Sequence, residues 1–215
     1  EIENKNVLDN LIKDPIIKKY HYQFIHFDSR DLRGVDVALI YNPAQFKPYQ
    51  YRPIQLSVKN HQADFPTRDI LYVKGQLENL WVHVLVNHWP SRRGGSKESE
   101  KRRLWASEVA KALIDSLKKT DSMANIILMG DFNDNPSNAS LQNIPLENPF
   151  YDLFKKGYGS LAFNDQWNMF DQILLSKSFM HSNNMITYYK SIIYNKNNRM
   201  EIHGKYKGYP KRTWM

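Results

Sequence analysis

One long amphipathic segment, Glu98 to Lys119, interrupts a chain otherwise made of short β-rich runs, and that contrast sets the class of fold. Trp105, Val109, Leu113 and Leu117 recur at spacing four with Ala106, Ala110 and Ile114 beside them, so one stripe is apolar and the rest is charged. Glu98 and Glu100 fall in its first turns and Lys118 and Lys119 in its last, as the helix dipole favours. A shorter opening helix is marked by Val7, Leu8, Leu11 and Ile12. The strand candidates are Tyr22 to Phe27, Val35 to Tyr41, Ile54 to Val58, Ile70 to Leu77, Leu80 to Asn87, Asn125 to Met129 and Gln172 to Ser176. Met185 to Tyr194 adds one or two more. Leu77-Glu78-Asn79-Leu80 is short enough to be a hairpin turn, which implies antiparallel pairing. Strands with a few long helices between them predict an α+β sandwich in which helices cover antiparallel sheets.

Length and composition narrow the class further. A chain of 215 residues is one large domain when set against ~150 residues for a typical one, and no repeat or linker divides it. The absence of cysteine removes disulfides, thiolate metal sites and cysteine nucleophiles together. No run approaches the ~18 consecutive apolar residues of a membrane span. The formal charge of +8 is uneven: Lys177 to Met215 holds eight basic residues and one acid, Glu201. Such a surplus suits a polyanion such as nucleic acid, and equally a solvated surface.

Three strand-end sites carry the chemistry. In Met129-Gly130-Asp131-Phe132-Asn133-Asp134-Asn135-Pro136, a period of two places Ile127, Met129, Asp131 and Asn133 on one side, so an apolar face ends in a carboxylate and an amide. That pair suits a hard divalent cation or a polarised water at Asp131 and a phosphate oxygen at Asn133; an Asx turn leaving a strand has the same pattern. In Val84 to Gly95, His88 shares parity with Val82, Val84 and Val86, and Arg92 and Arg93 follow in a glycine-containing turn. Imidazole and guanidinium groups at a strand end can handle phosphate, although packing and solvation explain the same residues. Asp171 precedes the strand Gln172 to Leu175. Three polar strand ends on one rim of a sheet would converge in space.

Glu1-Ile2-Glu3-Asn4, Arg33 to Tyr41, Asn87-His88-Trp89-Pro90-Ser91, Gly130 to Asp134 and Phe170-Asp171-Gln172-Ile173, in that order, resemble the endonuclease/exonuclease/phosphatase superfamily, the group of DNase I and the exonuclease III type nucleases. The resemblance implies a four-layered αββα sandwich and magnesium-dependent cleavage of a phosphate ester by an activated water, with manganese as a substitute. It makes Glu1 the metal-binding glutamate and His88 the histidine that contacts the scissile phosphate or leaving group. Asp131 becomes the acid that orients water or metal, Asn133 a phosphate ligand, and Asp171 the acid supporting a histidine or its phosphate contacts. Tyr41, closing its strand, becomes a rim residue that contacts substrate, with Arg92 and Arg93 as further substrate contacts.

Two family elements are missing: an Asn-containing motif before the glutamate and a C-terminal Ser-Asp-His, since no Asp-His dipeptide occurs in the sequence. Both gaps fall at ends that look cut, so the natural protein is expected to extend in both directions and the sandwich here to lack its first and last strands. Were the 215 residues the whole molecule, the general base would be missing. A secreted or periplasmic location stays open. The expected activity is metal-dependent phosphodiester hydrolysis, nuclease-like, with nucleic acid or another phosphate ester as partner. The alternatives are a phosphomonoesterase or lipid-headgroup phosphodiesterase on the same scaffold, or a nucleic-acid-binding module that has lost catalysis. Scattered histidines and no cysteine disfavour zinc.

Overall fold

The computed structural model describes residues 2–56, 66–163, 165–180, 185–194 and 200–211. The long amphipathic segment is helix α3, Ser96–Thr120, and its buried centre is Ala106, Ala110 and Ile114 rather than the bulkier Trp105, Val109, Leu113 and Leu117, which are partly buried at its flanks. Small alanines let the helix axis approach the sheet while the larger residues fill the margins.

Beneath α3 lies a five-stranded sheet ordered β3-β4-β5-β6-β9, where β3 is Phe46–Ile54, β4 Ile70–Leu77, β5 Leu80–His88, β6 Ile126–Asp131 and β9 Asp171–Leu175. The β4–β5 hairpin turns at Glu78, which takes a positive φ of 54°. The sheet is mixed, not antiparallel throughout: β5 and β6 run parallel. The reason is α3 itself, because a parallel pair needs a crossover connection and the helix between the two strands supplies it.

Alternation along the strands builds two cores. Leu85, Ile126, Leu128 and Leu174 point toward α3, together with Trp89 and Phe132 beyond the strand ends. Val82, Val84, Val86, Ile127 and Met129 point to the opposite face. That face is covered by an antiparallel pair, β1 (Gln23–His26) and β2 (Ala38–Tyr41), through Ile25, Val37 and Leu39. Helix α1, Lys5–Lys13, is capped by Asn4, lies against β1 and buries Leu8 completely. The layers are therefore helix, sheet, sheet, helix: the αββα sandwich of DNase I-like proteins. Short helices α2 (Pro15–Lys18), α4 (Ala139–Gln142) and α5 (Tyr151–Lys155) and a small hairpin of β7 (Leu161–Phe163) and β8 (Gln166–Asn168) complete the elements used below. Among the described residues no helix is long and apolar enough to cross a membrane.

Two strand expectations are corrected. The strand expected over Ile54 to Val58 is β3, which runs before it and ends at Ile54; residues 57 and 58 lie outside the described set. Pro48 and Pro53 disguised it, but β3 is an edge strand and tolerates residues without an amide hydrogen. Met185 to Tyr194 forms no strand. Its β-rich composition has no neighbouring strand to pair with among the described residues, and a run without a partner gains nothing from β propensity.

Candidate active site

The parallel pairing of β5 with β6 brings the last residue of each to the same edge, and the antiparallel β9 brings its first residue there too. In register, His88 pairs with Asp131 and Asp131 with Asp171. One row back, Asn87 pairs with Gly130 and Gly130 with Gln172. His88, Asp131 and Asp171 all line a cavity of about 600 Å³, closed on its other sides by Val37, Ala38, Phe150 and Ile192 to Tyr194.

Gly130 makes this edge possible. Its φ is 143°, and a Cβ placed on it would lie 1.8 Å from the Asn87 carbonyl oxygen. Only glycine lets β6 approach β5 so closely beside the cavity. After Asp131 the chain leaves the strand at once. Phe132 is fully buried against Trp89, ring centroids 4.7 Å apart, and Asn133 adopts a φ of 51° while its backbone N–H donates to Asp131 Oδ1 at 2.8 Å.

The β5 end is held as firmly. Trp89 Nε1 donates to Asn87 Oδ1 at 3.0 Å, and the Asn87 amide donates back to the Leu85 carbonyl. Arg68, buried, donates to the carbonyls of His88 (3.2 Å) and Trp89 (2.7 Å) and pairs with Asp31 at 2.8 Å. Burial would raise the Asp31 carboxyl, but hydrogen bonds from Arg33 and Arg68 outweigh it and hold the group at about 2. A second buried pair ties the two loops together. Arg103 of α3 lies 2.8 Å from Asp134 Oδ2, and Arg103 also donates to the Pro90 carbonyl. Asp134 further accepts from Ser140 at 2.7 Å and Arg92 at 3.2 Å.

His88 is only 8% exposed, and its Nε2 lies 3.9 Å from Asp131 Oδ2. Burial, reinforced by the charges of Arg68 and Arg33, pushes its pKa down to about 3, so the imidazole is neutral at physiological pH. A neutral imidazole can still donate one N–H to a phosphoryl or leaving-group oxygen. Asp131, with a side chain 34% exposed, and the exposed Asp171 present carboxylate oxygens to the same cavity. Oxygen donors of this kind fit a hard divalent cation.

Not every expected residue joins them. Glu1 lies outside the described residues. Asn133 has left the strand, so its parity with Asp131 is broken, and its amide donates to the Trp89 carbonyl at 3.0 Å instead of lining the cavity. Tyr41 sits at the far end of β2, paired with Gln23, donating to Gln23 Oε1 and packed edge-on against Phe46. The cavity touches the opposite end of that strand, at Ala38. Arg92 is engaged with the Asn133 carbonyl, Asp134 and the Phe170 ring, so it braces the loop. Arg93 lines a separate recess.

Sequence reasoning missed Gln172, Arg68, Arg103 and Asp134 as the framework of the site. Gln172 is buried and donates to the carbonyls of Asp134 and Met169. Asp134 stood inside the quoted motif and Gln172 beside Asp171; nothing local distinguishes Arg68 or Arg103, whose partners are distant in the chain. Also missed was a group at the cavity end of β1–β2, where ligand atoms of His26, Asp28 and Asp36 lie within 4.8 Å of one another. His26 Nε2 and Asp36 Oδ2 are 3.0 Å apart, and Asp36 also accepts from the Ser29 N–H, so the cluster closes the loop between them.

A DNase I-like sandwich with acids and an imidazole at one edge of its central sheet defines a class of phosphoester hydrolases. The sequence matches the endonuclease/exonuclease/phosphatase family over residues 1–215, and the chain belongs to that family, whose members hydrolyse phosphate esters. No curated protein matches. Among solved structures, the chain resembles a truncated TDP2 from Caenorhabditis elegans (14% identity, TM-score 0.58, covering 82% of this chain and 68% of that one). It also resembles the mannosyl-6-phosphatase of Bacteroides thetaiotaomicron (17%, 0.56, 73% and 63%). A third likeness is to the catalytic domain of human Nocturnin, solved with a bound sulfate anion (15%, 0.55, 76% and 64%). At these identities the likeness is one of fold. The chain spans about 64% of the Nocturnin domain's length.

Proposed function

We propose that this protein is a metal-dependent phosphodiester hydrolase, nuclease-like, that cleaves its substrate with water. The observation that carries the reading is the single register row of His88, Asp131 and Asp171, which puts an imidazole and two carboxylates on one cavity of about 600 Å³. The human Nocturnin catalytic domain, similar in fold, was solved with a bound sulfate anion, which accords with an anionic substrate.

In this reading the neutral His88 directs its N–H at a phosphoryl or leaving-group oxygen. Asp131 accepts a hydrogen bond from the attacking water and orients it, and Asp171 assists across the row. Asp131 and Asp171 would hold magnesium, or manganese, and the ion when bound neutralises the phosphoryl oxygens. Buried Arg68 and Arg103 fix the loops on which His88 and Asp131 stand. Asn133 already gives one amide N–H to the Trp89 carbonyl, so only its second N–H would serve a phosphate oxygen.

The test is incubation with single- and double-stranded DNA and RNA, with magnesium and with EDTA, beside a panel of phosphomonoesters and lipid headgroup esters. Magnesium-dependent strand cleavage is expected. Release of inorganic phosphate from the monoesters alone would replace the nuclease reading with a phosphatase one. Salt-sensitive nucleic-acid binding without turnover would replace it with a binding module.

A further inference from the structure

Beside the cavity lies a second recess of about 290 Å³, and its walls are unusually basic: Arg33, Arg68, Arg93 and Arg102 line it with one acid, Asp31. Four guanidinium groups against one carboxylate leave a formal surplus of three positive charges among the described lining residues. Asp31 is already shared, pairing with Arg68 at 2.8 Å and with Arg33 at 3.1 Å. Arg93 enters from the loop after β5 and Arg102 from α3. A recess lined by guanidinium groups favours an anion. Guanidinium is also the side chain whose planar donors match a phosphate group.

The recess and the cavity are linked through the residues that end β5 and begin the loop after it. His88 faces the cavity, whereas Pro90 and Ser91, two and three residues on, face the recess. Arg68 lines the recess while donating to the His88 carbonyl. An anion bound there would sit next to the strand end that carries the imidazole.

We infer that the arginine recess between the 88–91 loop and the start of α3 binds a second, uncleaved phosphate group of the substrate. This inference rests on the proposed hydrolase reading and extends it: the preferred substrate carries at least two phosphates, one cleaved in the cavity and one anchored in the recess. A nucleic-acid backbone and a small bisphosphate share that chemistry.

The experiment compares wild type with Arg93→Gln and with the double variant Arg93→Gln/Arg102→Gln, both changes falling on residues that keep some solvent exposure. In one arm a 5′-phosphorylated dinucleotide is set against its unphosphorylated counterpart. In the other, glucose 1,6-bisphosphate is set against glucose 6-phosphate. Wild type should show a kcat/KM preference for the doubly phosphorylated substrate in at least one arm, and the double variant should lose about tenfold of it, mainly through KM. Lys101→Gln, which removes a charge from exposed α3 surface, should leave the preference in place. Preference only in the nucleotide arm assigns the recess to a nucleic-acid backbone, and preference only in the sugar arm to a small bisphosphate. No preference in either arm, or a preference indifferent to both arginines, overturns the inference. If no ester turns over, calorimetric binding of inorganic pyrophosphate to the whole chain in EDTA separates the two claims. Binding weakened about tenfold in the double variant keeps the recess and discards the hydrolase reading. Equal binding discards the recess.

Discussion

His88 and Asp131 are direct register partners at the final positions of two parallel strands, with Nε2 and Oδ2 3.9 Å apart. Parallel pairing puts the two strand ends on one edge, and the antiparallel β9 adds the first residue of its own strand, Asp171. Antiparallel pairing of β5 with β6 would have sent the imidazole and the carboxylate to opposite edges of the sheet.

The first expectation concerns turnover. Asp131→Ala and His88→Ala should each reduce kcat by about 10²–10⁴-fold, the usual cost of deleting a well-aimed electrostatic or acid/base group. Circular dichroism should show the fold retained. Wild-type rates in either variant would mean that the chemistry lies elsewhere.

Protonation of His88 should be coupled to stability. In the unfolded chain its imidazole titrates near 6.5, whereas in the folded chain it stays neutral down to about 3. Between those values the unfolded state binds the extra proton, so stability falls as the pH drops through that window, by at most about 1.4 kcal/mol per pH unit from this group. Nuclear magnetic resonance in EDTA should show the His88 ring unmoved between pH 8 and 5. A midpoint near 6 would contradict the burial.

Gly130→Ala should be among the most damaging small substitutions. The added methyl meets the Asn87 carbonyl at 1.8 Å, and the backbone at φ 143° is one that an L-residue rarely adopts. A loss on the order of 3 kcal/mol is expected in chemical denaturation, from strain and overpacking together. A midpoint equal to wild type would show that β5 and β6 can separate without penalty.

The Arg103–Asp134 pair should behave as a positioning device. Asp134→Ala leaves the buried Arg103 guanidinium without its carboxylate and should cost about 3–5 kcal/mol, whereas Arg103→Ala leaves Asp134 still paired with Arg92 and should cost less. Arg103→Met combined with Asp134→Leu should recover much of that stability, because it buries neither charge. Activity should not recover with it, since the loops after His88 and Asp131 lose their common tether. Full activity in the double variant would make the pair a matter of stability alone.

What was legible in the sequence was whatever depends on neighbours along the chain. The α3 stripe, the strands β4, β5 and β6 and the hairpin at Glu78 follow from periodicity and turn chemistry within a few residues. The polar strand ends His88, Asp131 and Asp171 were visible because an apolar alternation stops at each of them, and the order of the motifs marked the family. The same local logic failed where the backbone departs from regular geometry. Asn133 kept its parity with Asp131 on paper, yet a left-handed residue turned its amide to Trp89. Tyr41 closes a strand as expected, but at the end remote from the cavity.

The arrangement of strands was a tertiary matter. Whether β6 runs parallel or antiparallel to β5 depends on where a 25-residue helix can bury its alanine face, and no window of the chain contains that information. The pairings of Arg68 with Asp31 and of Arg103 with Asp134 span gaps that only the packed sandwich closes. The sequence by itself determined which residues end the strands and the family to which the chain belongs. Tertiary structure alone decided which of those ends meet, because burial of apolar faces from distant segments, and not local preference, fixes the order and direction of strands in a sheet.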